Sequence, residues 1–248
     1  MIEESIESLI KKFNIIKNMG YVKGTKQGNV GNSGLTFENL IGKQNDTFQF
    51  ADYEGIEIKV RSIFSNRDIT LFNLVPSNNF GIGLKNLREK YGVADKDFPD
   101  KNKLNFLAIS NKKIKINGDY YSELKVDYSN KKIWLNIYDK NKLDNNDLYW
   151  DFDEIETITK NKLSYLCLIK YYKKIINKDR YFKFKDINIY KFIGFDNFID
   201  MIDKGYITLY INMGIYKSGY RIGKYHDYGV RFDVSEFFLS KIYNKLAC

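Results

Sequence analysis

Cysteine, histidine and proline are nearly missing from this chain. Cys167 and Cys248 are its only cysteines and have no CxxC spacing. That excludes a disulfide framework. With His226 as the single histidine, a zinc site of the usual Cys/His kind is excluded as well. Pro76 and Pro99 are the only prolines, and no Pro-, Gly- or Ser-rich linker or repeat divides the chain. No apolar run approaches the roughly 18 residues that span a bilayer. The opening MIEESIESLI is acidic and amphipathic, unlike a signal peptide. These absences predict a non-membrane protein of a reducing compartment, the cytoplasm.

What is present is apolar and basic. Hydrophobic residues make up 44% and aromatics 16% of 248 residues, enough for a sizeable core in one domain or two lobes. Lys and Arg number 40 against 31 Asp and Glu, a net charge of +9. A basic protein without a membrane helix points to a polyanionic partner. The abundance of Lys, Asn, Ile and Tyr also fits A+T-rich coding, so charge alone leaves both readings open.

Apolar spacing predicts a helix over 2–19, stopped by Gly20. Lys23–Gly34 holds four glycines without the G-K-[S/T] of a phosphate-binding P-loop; it reads as a surface loop or a phosphate-contacting one. A short helix follows, with Ser33 or Thr36 as N-cap, Gly42 as its end, and Glu38 on it. Strands are expected at 69–75, 104–110, 120–128 and 131–138, with a loop at Ser77–Gly83 and a short basic helix at 84–91. A helix capped by Asp151 or Asp153 follows. The apolar run 163–169 suits a buried central strand. A helix is expected at 195–204, and strands at 207–213 and 230–234.

Two stretches carry chemistry. In Asp52-Tyr-Glu-Gly-Ile-Glu57-Ile-Lys59-Val-Arg61, alternation from Gly55 onward predicts a strand. Ile56, Ile58 and Val60 take one face, and Glu57, Lys59 and Arg61 the other. Asp52 lies in the preceding turn, within reach of Glu57. Two carboxylates suit Mg²⁺, which takes one or two of them and keeps several waters; the Ile58 carbonyl is a candidate third ligand. Lys59 is placed to orient an attacking water or to stabilise charge on a phosphate. An ordinary Glu/Lys strand face gives the same pattern. The second stretch, Gly214–Gly229, combines four glycines, the cations Lys217, Arg221 and Lys224, four tyrosines including Tyr228, and His226 beside Asp227. It reads as a polar loop over the core, or as a loop offering donors and an acceptor to base edges and phosphates.

Four ordered blocks resemble the MvaI/BcnI family of restriction endonucleases, similar in fold to the mismatch-repair nicking enzyme MutH. They are Gly28–Gly31 with Thr36-Phe-Glu38-Asn-Leu40; Asp52 through Lys59; Ile69–Phe72 with Pro76 and Leu87-Arg-x-x-Tyr-Gly92; and Gly214-x-Tyr216-x-Ser218-Gly219 with Gly223-Lys224-x-His226-Asp227-x-Gly229-x-x-Phe232. The resemblance spans nearly the whole chain. It implies an α/β fold, a PD-(D/E)XK nuclease core with a mixed sheet flanked by helices. It further implies a MutH-like two-lobed architecture around a DNA cleft. The catalytic lobe is expected at roughly 1–110 plus the central strand near 163–169, the recognition lobe at about 195–248. Asp52 and Glu57 are implied as Mg²⁺ ligands, with Mn²⁺ an expected substitute. Lys59 is the implied catalytic lysine, and Glu38 the glutamate supporting the metal site. Lys217, Arg221, Lys224, His226, Asp227 and Tyr228 fall in the base-reading region. The expected activity is that of a type II site-specific deoxyribonuclease. It would act as a monomer on double-stranded DNA, leave 5′-phosphate ends at a short GC-rich near-palindromic site, and have a methyltransferase as its genetic partner. A strand-nicking enzyme that needs a repair partner, and a catalytically silent DNA-binding protein, are the alternatives. Ala51 stands where a proline is common, and Tyr228 where some members carry a second histidine.

Overall fold

The computed structural model describes residues 2–26, 31–43, 51–79 and 82–246, with Tyr228 described by its backbone alone. The chain runs α1 (Ile2–Asn18), β1 (Val22–Lys23), α2 (Asn32–Ile41), β2 (Ile56–Ser62), β3 (Ile69–Asn73), α3 (Gly83–Tyr91), β4 (Val93–Ala94), β5 (Asn102–Ala108), β6 (Ile114–Asn117), β7 (Tyr120–Asp127), β8 (Lys132–Asp139) and β9 (Lys142–Asp151). It continues through α4 (Phe152–Lys162), β10 (Tyr165–Ile176), β11 (Asp179–Phe192), α5 (Phe195–Asp203), β12 (Ile207–Ile215), β13 (Tyr225–Val234), a 3₁₀ turn at Glu236–Phe238, α6 (Leu239–Ile242) and β14 (Tyr243–Lys245). Two compact units result. The first takes the chain up to Arg67, Ile158–Ile193 and the segment from Ser240 onward; the second takes Asp68–Thr157 and Gly194–Leu239.

The first unit is built on a mixed sheet of order β1-β11-β10-β2, with β14 also pairing β11. β10 runs parallel to β2 and antiparallel to β11. A parallel pair needs a long crossover, and here the Asp68–Thr157 segment of the second unit lies in the chain between the two strands. Leu166, Cys167, Leu168 and Ile169 are buried, as expected of a strand covered on both faces. Ile56, Ile58, Cys167, Ile169 and Ile189 share one core with Leu9, Phe13 and Ile16 of α1 and Phe37 of α2. The i, i+4, i+7 spacing in α1 is the helical stripe that burial requires.

The second unit holds a sheet of order β3-β13-β12-β5-β4 and a four-stranded antiparallel sheet, β6-β7-β8-β9. Phe72 on β3 packs between Phe198 of α5 and Phe232 of β13, at 5.7 and 5.1 Å. Trp150 meets Phe232 edge-on at 5.8 Å, and its indole N–H donates to the Leu74 carbonyl at 2.9 Å.

Several expectations need correction. Residues 68–110 belong to the second unit, because β3 pairs with β13 and β5 with β12; the segment from Ser240 returns to the first through β14 pairing β11. Neither Ser33 nor Thr36 caps α2. The helix begins after Gly31, and the Thr36 hydroxyl instead donates to the Asn32 carbonyl and accepts from the Thr25 amide. Asp151 ends β9 and Asp153 lies within α4. Residues 225–229, expected in a loop, are the first half of β13. The glycine loop at Gly28, the Ser77–Gly83 loop at 80–81, and Cys248 fall wholly or partly outside the described residues.

Candidate active site

The spacing D-x4-E is produced by one tight turn. Glu54 and Gly55 both have positive φ, 44° and 87°, the mark of a two-residue type I′ connection. Tyr53 and Ile56 exchange backbone hydrogen bonds across it at 2.9 and 2.8 Å. Asp52 is thereby folded back opposite Glu57, and its Oδ2 accepts from the Ile58 amide at 2.9 Å. The amide of Ile58 is thus engaged by Asp52; its carbonyl is the group left as a candidate ligand.

Each carboxylate has a lysine. Lys59 Nζ donates to Glu57 Oε1 at 2.7 Å, and Lys43 Nζ to Asp52 Oδ1 at 2.7 Å. Glu57 is only 4% exposed, so the face carrying it is covered rather than solvated as alternation alone suggested. Its second oxygen, Oε2, is buried with no hydrogen-bond partner among the described residues. A buried carboxylate oxygen left unpaired is costly and is the kind of atom a hard cation satisfies. Burial pushes the Glu38 carboxyl above its ordinary value; the charge of Asp52 and then that of Glu57 add to this, while Lys43 and Lys59 oppose it. Glu38, Asp52, Glu57, Lys43 and Lys59 therefore form one electrostatic group. Among the described residues no three acidic, His or Cys side chains form a metal cluster by themselves. Mg²⁺ does not need three, because one or two carboxylates, a carbonyl and waters suffice. The donor set fits that ion.

In the second unit, the His226 ring stacks on Tyr216, with centroids 4.1 Å apart and planes at 14°. Arg221 donates to the Tyr216 hydroxyl at 3.2 Å. Arg221, Lys224 and Asp227 are exposed, and Asp227 Oδ1 accepts from the Gly229 amide at 3.0 Å. Lys217 faces its own protein, paired with Asp97 at 3.0 Å and with the buried carboxylate of Asp95. The Tyr228 side chain lies outside the described residues.

Sequence reasoning missed Lys43 and Asp95. Lys43 follows the C-terminus of α2, where cations are favourable, but nothing in the sequence ties it to Asp52. Asp95 carries no motif; its burial and its pairing with Lys217 set it apart.

Two carboxylates and a lysine thus meet at a tight turn on the edge of a mixed sheet. The chain belongs to the MvaI/BcnI restriction endonuclease family, whose sequence model matches residues 10–243. It is therefore a type II site-specific deoxyribonuclease. It is similar to the solved structure of the restriction endonuclease MvaI–cognate DNA substrate complex, with a TM-score of 0.87, 28% identity and 95% of each chain covered. It is also similar to restriction endonuclease MvaI in the absence of DNA, with a TM-score of 0.61 and 25% identity over 98% of this chain and 97% of that one. No curated protein matches.

Proposed function

We propose that this protein cuts double-stranded DNA with Mg²⁺, or Mn²⁺ in its place. The proposed products are 5′-phosphate ends at a short GC-rich near-palindromic site. The enzyme acts as a monomer in the bacterial cytoplasm, as the cutting half of a restriction–modification pair whose methyltransferase is a genetic partner. The observation that carries this is the Asp52–Glu57 pair, folded together by the Glu54–Gly55 turn, with Glu57 Oε2 buried and unpartnered.

Asp52, Glu57 and the Ile58 carbonyl would hold the ion, with Glu38 adding negative field. When bound, the cation shields the phosphodiester's charge and favours attack by water at neutral pH. Lys43 and Lys59 neutralise the carboxylates until then. Lys59, already 2.7 Å from Glu57, is positioned to orient the attacking water and to stabilise negative charge on the phosphate. The first unit is assigned the cutting, and the second the reading through Arg221, Lys224, His226, Asp227 and Tyr228. Lys217 holds the reading loop through Asp95 and Asp97.

The test is digestion of a DNA of known sequence by the purified protein alone, with Mg²⁺, with Mn²⁺ and with a chelator, followed by mapping of both strands' ends. Metal-dependent double-strand cuts at one short site with 5′-phosphates are expected. Nicks in one strand only, or cleavage that needs an added protein, would replace this reading with that of a repair-type nicking enzyme.

A further inference from the structure

The basic charge of this chain is not evenly spread. The sixteen residues 170–185 carry seven Lys and Arg against one Asp, a net +6 of the chain's +9. Base composition raises lysine along a whole chain and does not by itself gather it into one segment. These residues form the outer ends of β10 and β11. Asn177 and Lys178 close them, both at positive φ, 48° and 69°, as in a two-residue type I′ turn. β2 accompanies β10 only as far as Tyr171, opposite Ser62. Beyond that point the hairpin runs on as a two-stranded arm, with only the two residues of β1 beside it.

Register fixes which cations of the arm share a face with the cutting centre. Glu57 and Lys59 pair with Leu166 and Leu168. Alternate residues on a strand share a face, and the extra residue of the bulge, Lys185, lies on β11. The alternation of β10 therefore continues unbroken to Tyr172 and Lys174. Opposite these stand Lys183 and Tyr181, and beside Tyr181 stands Lys23. Lys173, opposite Phe182, takes the other face. Rings support two of the ammonium groups: Lys174 lies 4.0 Å from the Tyr21 centroid and Lys185 5.5 Å from that of Tyr172, both within cation–π range. Lys23, Lys174, Lys183 and Lys185 are exposed; Lys23 shares its charge with Asp179 and Lys185 with Asp186. From Leu168 to Lys174 the strand advances about 20 Å, the length of about six base pairs of duplex. We infer that this face of the arm holds the phosphate backbone of duplex DNA about six base pairs outside the cut, with Lys174 and Lys183 as its main contacts. The inference rests on the proposed cutting of double-stranded DNA at Asp52, Glu57 and Lys59. It adds to that reading a contact with flanking DNA that is blind to sequence.

The test uses the full chain and linear duplexes that carry the cleaved site with flanks lengthened stepwise from about two to about twelve base pairs. Equilibrium binding is measured in a chelator at several salt concentrations for wild type, Lys174→Ala, Lys183→Ala, the double variant and Lys173→Ala, beside melting curves. Wild-type affinity should rise with flank length and level off once the flanks pass about six base pairs. On the longest duplex each single variant should lower the salt slope by about one and the double variant by about two. On the shortest duplex all should bind alike, and Lys173→Ala should match wild type throughout. A double variant with the wild-type slope and the wild-type flank dependence would overturn the arm's role and leave the nuclease reading standing. A loss with Lys173→Ala equal to that with Lys174→Ala would also overturn it, because the arm would then act as a diffuse charge with no DNA-facing side. A wild type that binds no duplex would overturn the nuclease reading, and the arm's role with it.

Discussion

At the scale of single residues the candidate active site is a small set of charges that oppose one another. Asp52→Ala, Glu57→Ala and Lys59→Ala are each expected to reduce cleavage by at least about 10²–10³-fold without loss of fold, read as single-turnover rates beside a melting curve. Near-wild-type cutting by Glu57→Ala would remove the assignment. Glu38 gives a different reading. Its carboxyl is raised above 4.5 by burial and by Asp52 and Glu57, so the folded state binds this proton more tightly than the unfolded one. The sign follows from linkage: the contribution is fully present below the unfolded value and is lost as pH rises through the raised folded value. Glu38→Gln removes the repulsion. Its melting temperature should exceed that of wild type near neutrality, by about 2–4 °C for each kcal/mol relieved, and the gap should narrow as pH falls toward the carboxylate range. At the same time its cleavage should drop. A variant no more stable than wild type at pH 7 would show that Asp52 and Glu57 do not burden Glu38.

At the scale of elements, what could be read from the sequence follows a physical line. Helices α1 and α5 and strands β2 and β10 have an amphipathic or continuously apolar pattern, and such patterns are visible in one dimension. β9, with the polar run Lys142–Asp147, does not: it is extended because it pairs with β8. β11 breaks its own alternation at Lys185, where a bulge opposite Lys170 and Tyr171 shifts the register. β13 was misread for the same reason. Residues 228–229 form a bulge between the pairs Ile211–Val230 and Met213–Asp227, and Gly229 at φ 96° supplies the needed backbone. Glycine and polar residues there signal a loop, yet they re-aim a strand. The Asp52/Glu57/Lys59 cluster was legible because turn and strand are local; Lys43, which meets Asp52 from just beyond α2, was not.

That strand carries a prediction. His226 on β13, stacked on Tyr216, and Arg221, bonded to the same tyrosine, form one rigid group. His226→Ala, Arg221→Ala and Asp227→Ala should impair discrimination more than chemistry, by about 1–3 kcal/mol for each lost base contact. The measurement compares cleavage of the preferred site with sites changed at one base pair. Asp95→Ala should act at a distance: it leaves Lys217 held by Asp97 alone and loosens the 216–224 loop, relaxing preference at several positions at once. Wild-type discrimination in all four variants would move the reading function elsewhere, first to the Ser77–Gly83 loop.

At the scale of the whole molecule the question is how many cations are available to DNA. The chain carries 40 Lys and Arg and a net charge of +9. Several of these cations pair with the protein's own carboxylates: Lys43 with Asp52, Lys59 with Glu57, Lys90 with Asp144, Lys204 with Asp200 and Lys217 with Asp95. Net charge alone therefore does not measure phosphate contacts, but salt dependence does, because each neutralised phosphate releases counterions. With roughly six phosphates engaged, affinity should fall on the order of 10³-fold between about 50 and 200 mM salt. The measurement is equilibrium binding in a chelator, on the preferred site and on an unrelated sequence. Both should fall with similar slopes, since phosphates are common to all DNA, while the offset between them would report the base contacts proposed for the second unit. A nearly flat response would mean that the lysines balance the protein's own carboxylates and reflect A+T-rich coding, and binding would then have to rest on base contacts alone.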